Sequence, residues 1–244
     1  MSGFPNFSGG KEDMAMPKMG PVIAIDGPAG TGKSTATRRL AEALHFVHVD
    51  TGALYRSIAF LLLETKRDIS EAAATDLARR VHLEFKRVSG MNPANRIFAD
   101  GRDVTSFIRT PEVSMAASQV SSISGVRAAL LGLQRRMGCQ GKSILEGRDI
   151  GTVVFPDADV KFFLTASVDE RAKRRLAELE ASGADAPSFE EVKRQISERD
   201  QADAGRAIAP LKRAVDAVDV DTSRMTLDEV VAHMESVVRK KLGL

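Results

Sequence analysis

The sequence is poor in aromatic residues and in cysteine. It has no tryptophan, Tyr55 is its only tyrosine, and aromatic residues make up 5% of the 244 residues. A surface that binds single-stranded nucleic acid by stacking its bases would have to rely on phenylalanine alone, so we expect no nucleic-acid partner. Cys139 is the only cysteine and cannot form a disulfide within the chain, which is typical of the reducing cytoplasm.

Long apolar runs and a large net charge are also missing. The longest apolar run without glycine, residues 58–63, has six residues, against about 20 for a membrane-spanning helix. The N-terminal stretch lacks the apolar core of a signal peptide. The 35 basic and 33 acidic residues leave a formal charge of +2, which is too small to attract a polyanion. We therefore expect a cytoplasmic protein without a membrane partner.

The rest of the composition is that of a globular protein. Hydrophobic residues make up 43% of the chain and charged residues 28%. The length favours one large domain or one core with an inserted part. Residues 1–20 contain four glycines and two prolines without a helical or strand period, and we expect them to form a flexible tail.

After the tail, short β-branched runs alternate with longer helical patterns. This alternation is typical of parallel strands joined by helical crossovers. Nearly continuous apolar strands are expected where helices cover both faces of a sheet. The fold class predicted is therefore α/β. The predicted strands are residues 22–26, 46–49, 143–145, 160–164 and 217–220.

A different pattern interrupts this alternation between residues 83 and 105. Short strand-like pieces are broken there by Gly90, by Pro93 and by the Asp100-Gly101 pair. We expect an antiparallel insert.

Helix boundaries are indicated by capping residues. Hydroxyl residues followed three positions later by glutamate predict helix starts at Ser167, Ser188 and Thr226. Glycines at the ends of helical patterns predict left-handed C-caps at Gly138, Gly183 and Gly243.

One glycine-rich motif has a specific chemical meaning. Residues 27–34 fit the pattern G-x-x-x-x-G-K-[ST], directly after a predicted strand and before a helical pattern. The glycines let backbone N–H groups turn toward phosphate oxygens, and the following helix presents its positive end to the same anion. Lys33 adds a charge for the β- and γ-phosphates, and Ser34 offers a hydroxyl to Mg²⁺. The motif predicts a nucleoside triphosphate site but is shared by kinases, motors and switches.

Polar side chains also follow the second predicted strand. Asp50, Thr51, Tyr55 and Arg56 lie at its carboxyl end, where open α/β sheets bind ligands. Asp50 alone is explained equally well as the N-cap of the next helix. The planar guanidinium of Arg56 suits a phosphate monoester. The segment therefore favours a second, phosphorylated ligand.

Two further charged segments are candidates for the site. Residues 146–149, Glu-Gly-Arg-Asp, follow the third predicted strand and form either part of the site or a turn with a surface ion pair. Arg199 and Arg206 lie seven positions apart at a predicted helix end, which suits a mobile lid that brings positive charge onto phosphates. We expect a solvated helix face for four other basic residues, namely Arg171, Lys173, Arg174 and Arg175.

Together these motifs resemble the bacterial cytidylate kinase family. The resemblance is carried by residues 25–35, 50–56, 147–156, 199–211 and 221–223, and it covers nearly everything after the tail. It implies a P-loop NTPase fold with a parallel sheet core flanked by helices, a nucleoside-monophosphate-binding insert and a short helical lid. The implied division is a tail over 1–20, a core over 21–64 and 111–244, an insert over 65–110 and a lid over about 182–207.

The resemblance also implies a role for each motif residue. ATP is held by Gly27, Pro28, Ala29, Gly30, Thr31, Gly32, Lys33, Ser34 and Thr35. The phosphate and sugar of CMP are held by Thr51, Tyr55, Arg56, Glu146 and Asp203, and cytosine by Ser118, Arg127 and Asp149. The catalytic groups on the phosphates are Lys33, Arg148, Arg199 and Arg206. Mg²⁺ is held by the Ser34 hydroxyl and, through water, by Asp50.

The sequence departs from the family pattern in two places. Glu146 stands where relatives often have aspartate, and Ala202 and Ala204 stand where some relatives carry arginine in the lid.

The chemistry of the motifs agrees with the resemblance. Cytosine presents an N4 amine where uracil presents a carbonyl, and the Asp149 carboxylate is suited to accept from that amine. A CMP phosphate, with a second pKa of about 6, needs no side chain to remove a proton, so we expect structural roles for His45 and His48. We expect a monomer that transfers the γ-phosphoryl group of MgATP to CMP and dCMP. The alternatives are another small-molecule P-loop kinase, for UMP or shikimate, and a nucleotide-dependent switch.

Overall fold

A computed structural model of the chain describes residues 17–88, 90–91, 95–181 and 187–244. The described residues form eight strands, β1 to β8 in chain order, namely Val22–Asp26, Val47–Asp50, Leu83–Arg87, Asn95–Ala99, Arg102–Asp103, Ser143–Gly147, Val160–Thr165 and Val218–Asp221. Eight α-helices, α1 to α8, are Lys33–Leu44, Thr51–Glu64, Glu71–Arg80, Pro111–Ser122, Ser124–Cys139, Val168–Ala181, Phe189–Ala204 and Leu227–Leu242. A π-helical turn, Ile150–Val154, and a 3₁₀ turn, Phe107–Arg109, complete these elements.

The centre of the molecule is a five-stranded parallel sheet. Its strand order is β2-β6-β1-β7-β8, so β1, which leads into the P-loop, lies in the middle. All five predicted strands of the core are present, which confirms the α/β class.

The apolar runs of these strands follow from burial on both faces. In β1, Ile23 and Ile25 pack with α1 and α8 on one face, while Val22 and Ala24 pack toward α5 and the π-helical turn on the other. Each of these four side chains has no exposed surface. Hydrophobic burial on both sides therefore fixes the strand that carries the P-loop.

The predicted antiparallel insert is also present. Strands β3, β4 and β5 form a separate three-stranded antiparallel sheet. Its buried Leu83, Ile97 and Ala99 share one apolar cluster with helices α2, α3, α4 and α5. The insert is thus held to the helices that lead into and out of it.

Capping explains where several helices begin and end. Thr226 and Glu229 form the predicted capping box of α8, and Gly243 ends that helix at φ +67°. Ser188 accepts from the Glu191 amide at the start of α7. Ser167 accepts from the Glu170 amide at 3.2 Å at the start of α6. These hydroxyls satisfy amides that the first helical turn leaves without partners.

The prediction for Gly138 is wrong. This glycine lies within α5, and a Cβ added to it would come within 2.5 Å of the Phe155 ring. Close packing against the aromatic ring, rather than a left-handed backbone, is the reason for a glycine at this position. Gly183 lies outside the described residues.

The last residues of the predicted tail contact the core of the protein. Residues 1–16 lie outside the described residues, but Met19 donates its amide to the Cys139 carbonyl at 3.0 Å and the Lys18 amine lies 3.2 Å from the Asp157 carboxylate. The contact with the core therefore begins before Pro21. None of the described helices is both long enough and apolar enough to cross a bilayer.

Candidate active site

The P-loop joins β1 to α1. Gly27, Gly30 and Gly32 have φ angles of +145°, +77° and +82°, which L side chains rarely adopt. A Cβ at Gly27 would lie 2.0 Å from the Leu164 carbonyl oxygen. Gly32 is the N-cap of α1 and has no side chain, so no side-chain cap occupies the first-turn amides. The loop and the helix end together form a site for an anion.

Lys33 is buried inside this loop. Its amine donates to the Pro28 carbonyl at 2.5 Å and to the Thr31 hydroxyl at 3.3 Å. Burial, together with the nearby charge of Arg148, lowers the pKa of Lys33 well below its ordinary value of 10.5. A polyphosphate at this position would supply the negative charge that the buried amine needs.

Glu146 lies beside the P-loop, at the end of β6. Its carboxylate accepts from the Ser34 hydroxyl at 2.8 Å, and its other oxygen lies 2.9 Å from His48 Nε2. Burial lowers the pKa of His48, but the hydrogen bond with Glu146 and the charge of that carboxylate raise it more, so the net shift is upward. The predicted place of Glu146 at the CMP sugar stays a prediction. The carboxylate faces Ser34 because β6 is the neighbour of β1.

Asp50 caps α2 and orients Arg56. One carboxylate oxygen accepts from the Ala53 amide at 3.1 Å, and the other pairs with the Arg56 guanidinium at 2.7 Å. Burial raises the pKa of Asp50, but the positive charge of Arg56 and of other neighbours outweighs it, so the pKa is lowered. The N-cap interpretation of Asp50 is confirmed. Both oxygens have partners within this cluster, so the structure gives no support to its predicted place at Mg²⁺.

A buried ion pair lines a cavity between α2 and α5. Arg127 and Asp149 are paired side chains that are 8% and 5% exposed. The Arg127 guanidinium lies 5.6 Å from the centre of the Tyr55 ring, and Gln134 donates to the Tyr55 hydroxyl at 3.3 Å. The cavity has a volume of about 430 Å³, and its lining includes Tyr55, Arg127, Leu131, Gln134, Asp149 and Val153. It offers one flat aromatic face and a charged pair to a ring.

Two further predicted acceptor residues, Ser118 and Thr51, lie in α4 and at the start of α2. Ser118 is half-buried in α4, and its carbonyl accepts from the Ser121 hydroxyl at 2.9 Å. The Ser121 carbonyl in turn accepts from Arg127 at 3.1 Å. The Thr51 hydroxyl is buried and donates to the Glu146 carbonyl at 2.7 Å. Ser121 therefore links α4 to Arg127 of the cavity lining, and Thr51 links the start of α2 to the end of β6.

Asp203 of α7 lies among the arginines that are predicted to bind phosphate. It accepts from Arg148 at 2.9 Å and from Arg206, and it is 1% exposed. Burial raises the pKa of Asp203, but the two arginines outweigh that effect and hold it below its ordinary value. Burial and the neighbouring charge of Arg148 lower the pKa of Arg199 to about 10. Three arginines thus lie around one carboxylate, with more positive than negative charge.

Asp26, the last residue of β1, anchors the turn that carries Arg148 and Asp149. Its carboxylate accepts from the Ile150 amide at 2.8 Å and from the Gly151 amide at 2.7 Å. Burial raises the pKa of Asp26 to about 6, although the two amides favour the charged form. Sequence reasoning missed this residue, which links the P-loop strand to the turn after β6.

A pH prediction follows from this buried carboxylate. The folded protein holds a proton on Asp26 up to a pH of about 6, whereas the ordinary value is 3.8. Between these values the folded state binds more protons, so the free energy of unfolding falls as the pH rises, by roughly 3 kcal/mol for this group. Asp26→Asn removes this titration. Urea unfolding should show that the free energy of unfolding falls less between pH 4 and pH 7 in the variant than in the parent protein. An equal fall in both proteins would contradict the prediction.

Two arginines of α6 also contact the P-loop. Arg171 is 3% exposed and donates to the Ala29 carbonyl at 3.2 Å. Arg174 donates to the Thr31 carbonyl at 3.3 Å and to the Thr222 hydroxyl at 3.0 Å. The prediction of a solvated face is wrong for both, because α6 lies across the loop and buries this side of the helix.

A second, open pocket adjoins the P-loop through Thr222. The Thr222 hydroxyl also donates to the Thr31 carbonyl at 3.0 Å. The pocket has a volume of about 610 Å³ and is lined by Ser167, Asp221, Ser223 and Arg224. The sequence signal for it was the segment 221–223, to which sequence reasoning gave no role.

The described residues thus form a P-loop with an adjoining pocket, a cluster of arginines at Asp203 and a separate cavity at the Arg127–Asp149 pair. The chain matches the family model described as "Cytidylate kinase" over residues 23–240. A cytidylate kinase of Geobacter sulfurreducens is 47% identical over 227 residues, which cover 92% of this chain and 95% of that relative. One of Citrifermentans bemidjiense is 45% identical over 231 residues, which cover 94% and 97%. A P-loop at the end of β1 and a match of this extent place the chain in the cytidylate kinase family.

Proposed function

We propose that this chain transfers the γ-phosphoryl group of ATP to CMP, giving ADP and CDP, and that dCMP is a second acceptor. The observation that carries the proposal is the placement of two consecutive residues. Arg148 pairs with Asp203 in the arginine cluster, while Asp149 pairs with Arg127 in the base pocket. One turn, anchored on the strand that leads into the P-loop, thus joins a phosphate site to a site for a base.

The donor nucleotide lies along the P-loop. Its phosphates bind the loop amides and Lys33, as the burial and lowered pKa of that amine favour. Its base lies in the pocket at Ser167 and Asp221, which Thr222 connects to the loop. Arg174 donates hydrogen bonds to both Thr31 and Thr222, and so fixes the distance between the P-loop and the pocket for the base.

Magnesium fits the oxygen groups beside the loop. The Ser34 hydroxyl and a Glu146 oxygen lie 2.8 Å apart, and oxygen ligands suit a hard cation. Within the described ranges, no cluster of three or more His, Cys, Asp or Glu side chains could hold a metal ion, so ATP phosphates and water would complete the coordination. When bound, the ion neutralises charge on the β- and γ-phosphates. Ser34 would hold it directly, and Glu146 through water.

The acceptor occupies the cavity between α2 and α5. The cytosine ring lies against Tyr55, and its N4 amine donates to the Asp149 carboxylate, which Arg127 holds in place. The phosphate of CMP faces Arg56, whose guanidinium is oriented by Asp50. Thr51, Ser118 and Asp203 complete the acceptor site on its sugar and base sides.

Phosphoryl transfer then depends on position and charge. The CMP phosphate is largely a dianion at neutral pH, because its second pKa is about 6, so its oxygen can attack without a general base. Lys33, Arg148, Arg199 and Arg206 offset the repulsion between the two anions. The lid implied over about residues 182–207 carries two of these arginines, Arg199 within α7 and Arg206 just after the end of that helix. Closure of the lid excludes water that would otherwise hydrolyse ATP.

A panel of monophosphates with MgATP tests the proposal. CMP and dCMP should support rapid formation of ADP, UMP should be a weaker acceptor, and shikimate should give no reaction. ATP binding without CDP formation would contradict the kinase assignment and favour a nucleotide-dependent switch. We propose further that the enzyme acts in the cytoplasm as a monomer without nucleic acid, which sedimentation with and without RNA would check.

A further inference from the structure

We infer that Arg171 is a positioning residue, which connects the P-loop to the lid helix α7 through Asp200 and thereby holds Arg199 in place for phosphoryl transfer. This inference rests on the proposed kinase function. It concerns the ion pair between Arg171 of α6 and Asp200 of α7. Neither the sequence motifs nor the proposed mechanism assigns a role to this ion pair.

One side of Arg171 is fixed to the P-loop. Its Nη1 donates to the Ala29 carbonyl at 3.2 Å, and its Nε donates to the Ala166 carbonyl at 3.1 Å. A Cβ added to Gly30 would lie 3.1 Å from the Arg171 Cβ, so loop and side chain are in close contact. The guanidinium therefore has a defined position relative to the loop.

The other side of Arg171 faces the lid. Its Nη2 lies 2.6 Å from an Asp200 oxygen. The second Asp200 oxygen and the Nε of the adjacent Arg199 are buried, and neither has a hydrogen-bond partner in the described part of the chain. Asp200 therefore depends on Arg171 for its neutralisation. Because Arg199 is the next residue on the same helix, a shift of Asp200 moves Arg199 as well.

This arrangement links the position of the lid to the P-loop. Arg171 is buried, and Asp200 can reach it only while α7 lies over the loop. Lifting the helix would leave a buried charge without its partner, which is strongly unfavourable. The ion pair therefore favours the position of α7 in which Arg199 lies near Arg148 and Asp203.

A second ion pair between the same helices provides a matched control. Lys193 of α7 lies 2.6 Å from Asp169 of α6. These side chains are 38% and 59% exposed, so the pair lies at the surface. Loss of the Lys193–Asp169 ion pair would weaken the packing of α6 against α7. It would leave the contacts of Arg171 with the P-loop and with Asp200 in place.

The test compares Arg171→Met, Asp200→Asn, the double variant and Lys193→Met in the full chain. We expect each of the first two to lower kcat for CMP about tenfold, with little change in KM for CMP, and the double variant to be no worse than either. Arg171→Lys should restore part of kcat, and Lys193→Met should behave as the parent protein. Additive losses in the double variant, or a kcat within twofold of the parent, would overturn the inference.

Hydrogen exchange supplies a readout that does not require CMP. With a non-hydrolysable ATP analogue and Mg²⁺, amides of α7 should exchange slowly in the parent and in Lys193→Met, and faster in both Arg171→Met and Asp200→Asn. Equal exchange in all variants would overturn the inference. If Arg171→Met fails to fold, Asp200→Asn still tests it, because that carboxylate is about a quarter exposed. A parent protein that makes no CDP would instead refute the proposed function.

Discussion

Replacing Lys33 by methionine is expected to lower kcat for CDP formation by about 10³-fold, since the variant loses a buried cation aimed at the transferred phosphoryl group. The stem of the side chain is retained, so the packing of the loop changes little. Burial disfavours the charge in the folded protein without nucleotide, as the lowered pKa of Lys33 indicates. The melting temperature of the nucleotide-free variant should therefore not fall. Steady-state kinetics and thermal unfolding measure the two effects.

Lys161 offers a control for the loss of a buried amine. It is 6% exposed on β7 and donates to the Pro156 carbonyl at 2.5 Å and to Asp216 at 2.9 Å, neither of which is a P-loop residue. Lys161→Met should keep kcat close to that of the parent and can lower stability. If Lys33→Met keeps more than a tenth of the parental kcat, the role given to its amine is wrong.

Replacing Asp149 by asparagine is expected to reduce the preference for CMP over UMP by about 10- to 100-fold, the value of one specific base contact. The carboxylate can only accept, which suits the N4 amine of cytosine. The amide of asparagine can also donate, which suits the O4 carbonyl of uracil. The ratio of kcat/KM for CMP and UMP measures this effect, and it does not depend on the fraction of protein that is folded.

The substitution also removes the partner of a buried arginine. Arg127 is 8% exposed and pairs with Asp149, so some loss of stability is expected as well. Asp216→Asn is the matched control, because this carboxylate is 62% exposed and pairs with Lys161. It should leave the CMP/UMP ratio unchanged. An unchanged ratio in Asp149→Asn would remove this residue from base recognition.

The parts of the site that could be read from the sequence are those made by one continuous segment. Eight consecutive residues, 27–34, contain the positive-φ glycines, the lysine and the serine of the P-loop. Asp50 and Arg56, six positions apart, lie on adjoining turns of the start of α2 and meet there. In the P-loop the local backbone brings the groups together, so spacing is sufficient to predict the site. The sequence placed Asp50 and Arg56 in one segment but did not predict their ion pair.

The roles that were missed depend on residues far apart in the chain. Ser34 and Glu146 are 112 positions apart, and Arg171 and Ala29 are 142 apart. The basic run in α6 has the composition of a solvated face, and nothing local shows that one side of it covers the P-loop. The sequence around Glu146 is the same whether its side chain faces the acceptor or Ser34, so it does not predict which contact forms.

The sequence by itself determined the α/β class, the five core strands, the antiparallel insert and the P-loop, because periodicity and spacing record local backbone geometry and which side chains are buried. Only the tertiary structure decided that β6 lies between β1 and β2, that Asp26 holds the turn after β6, and that α6 lies across the P-loop. Strand order and helix placement result from the packing of all crossovers around one sheet, so no single segment contains that information.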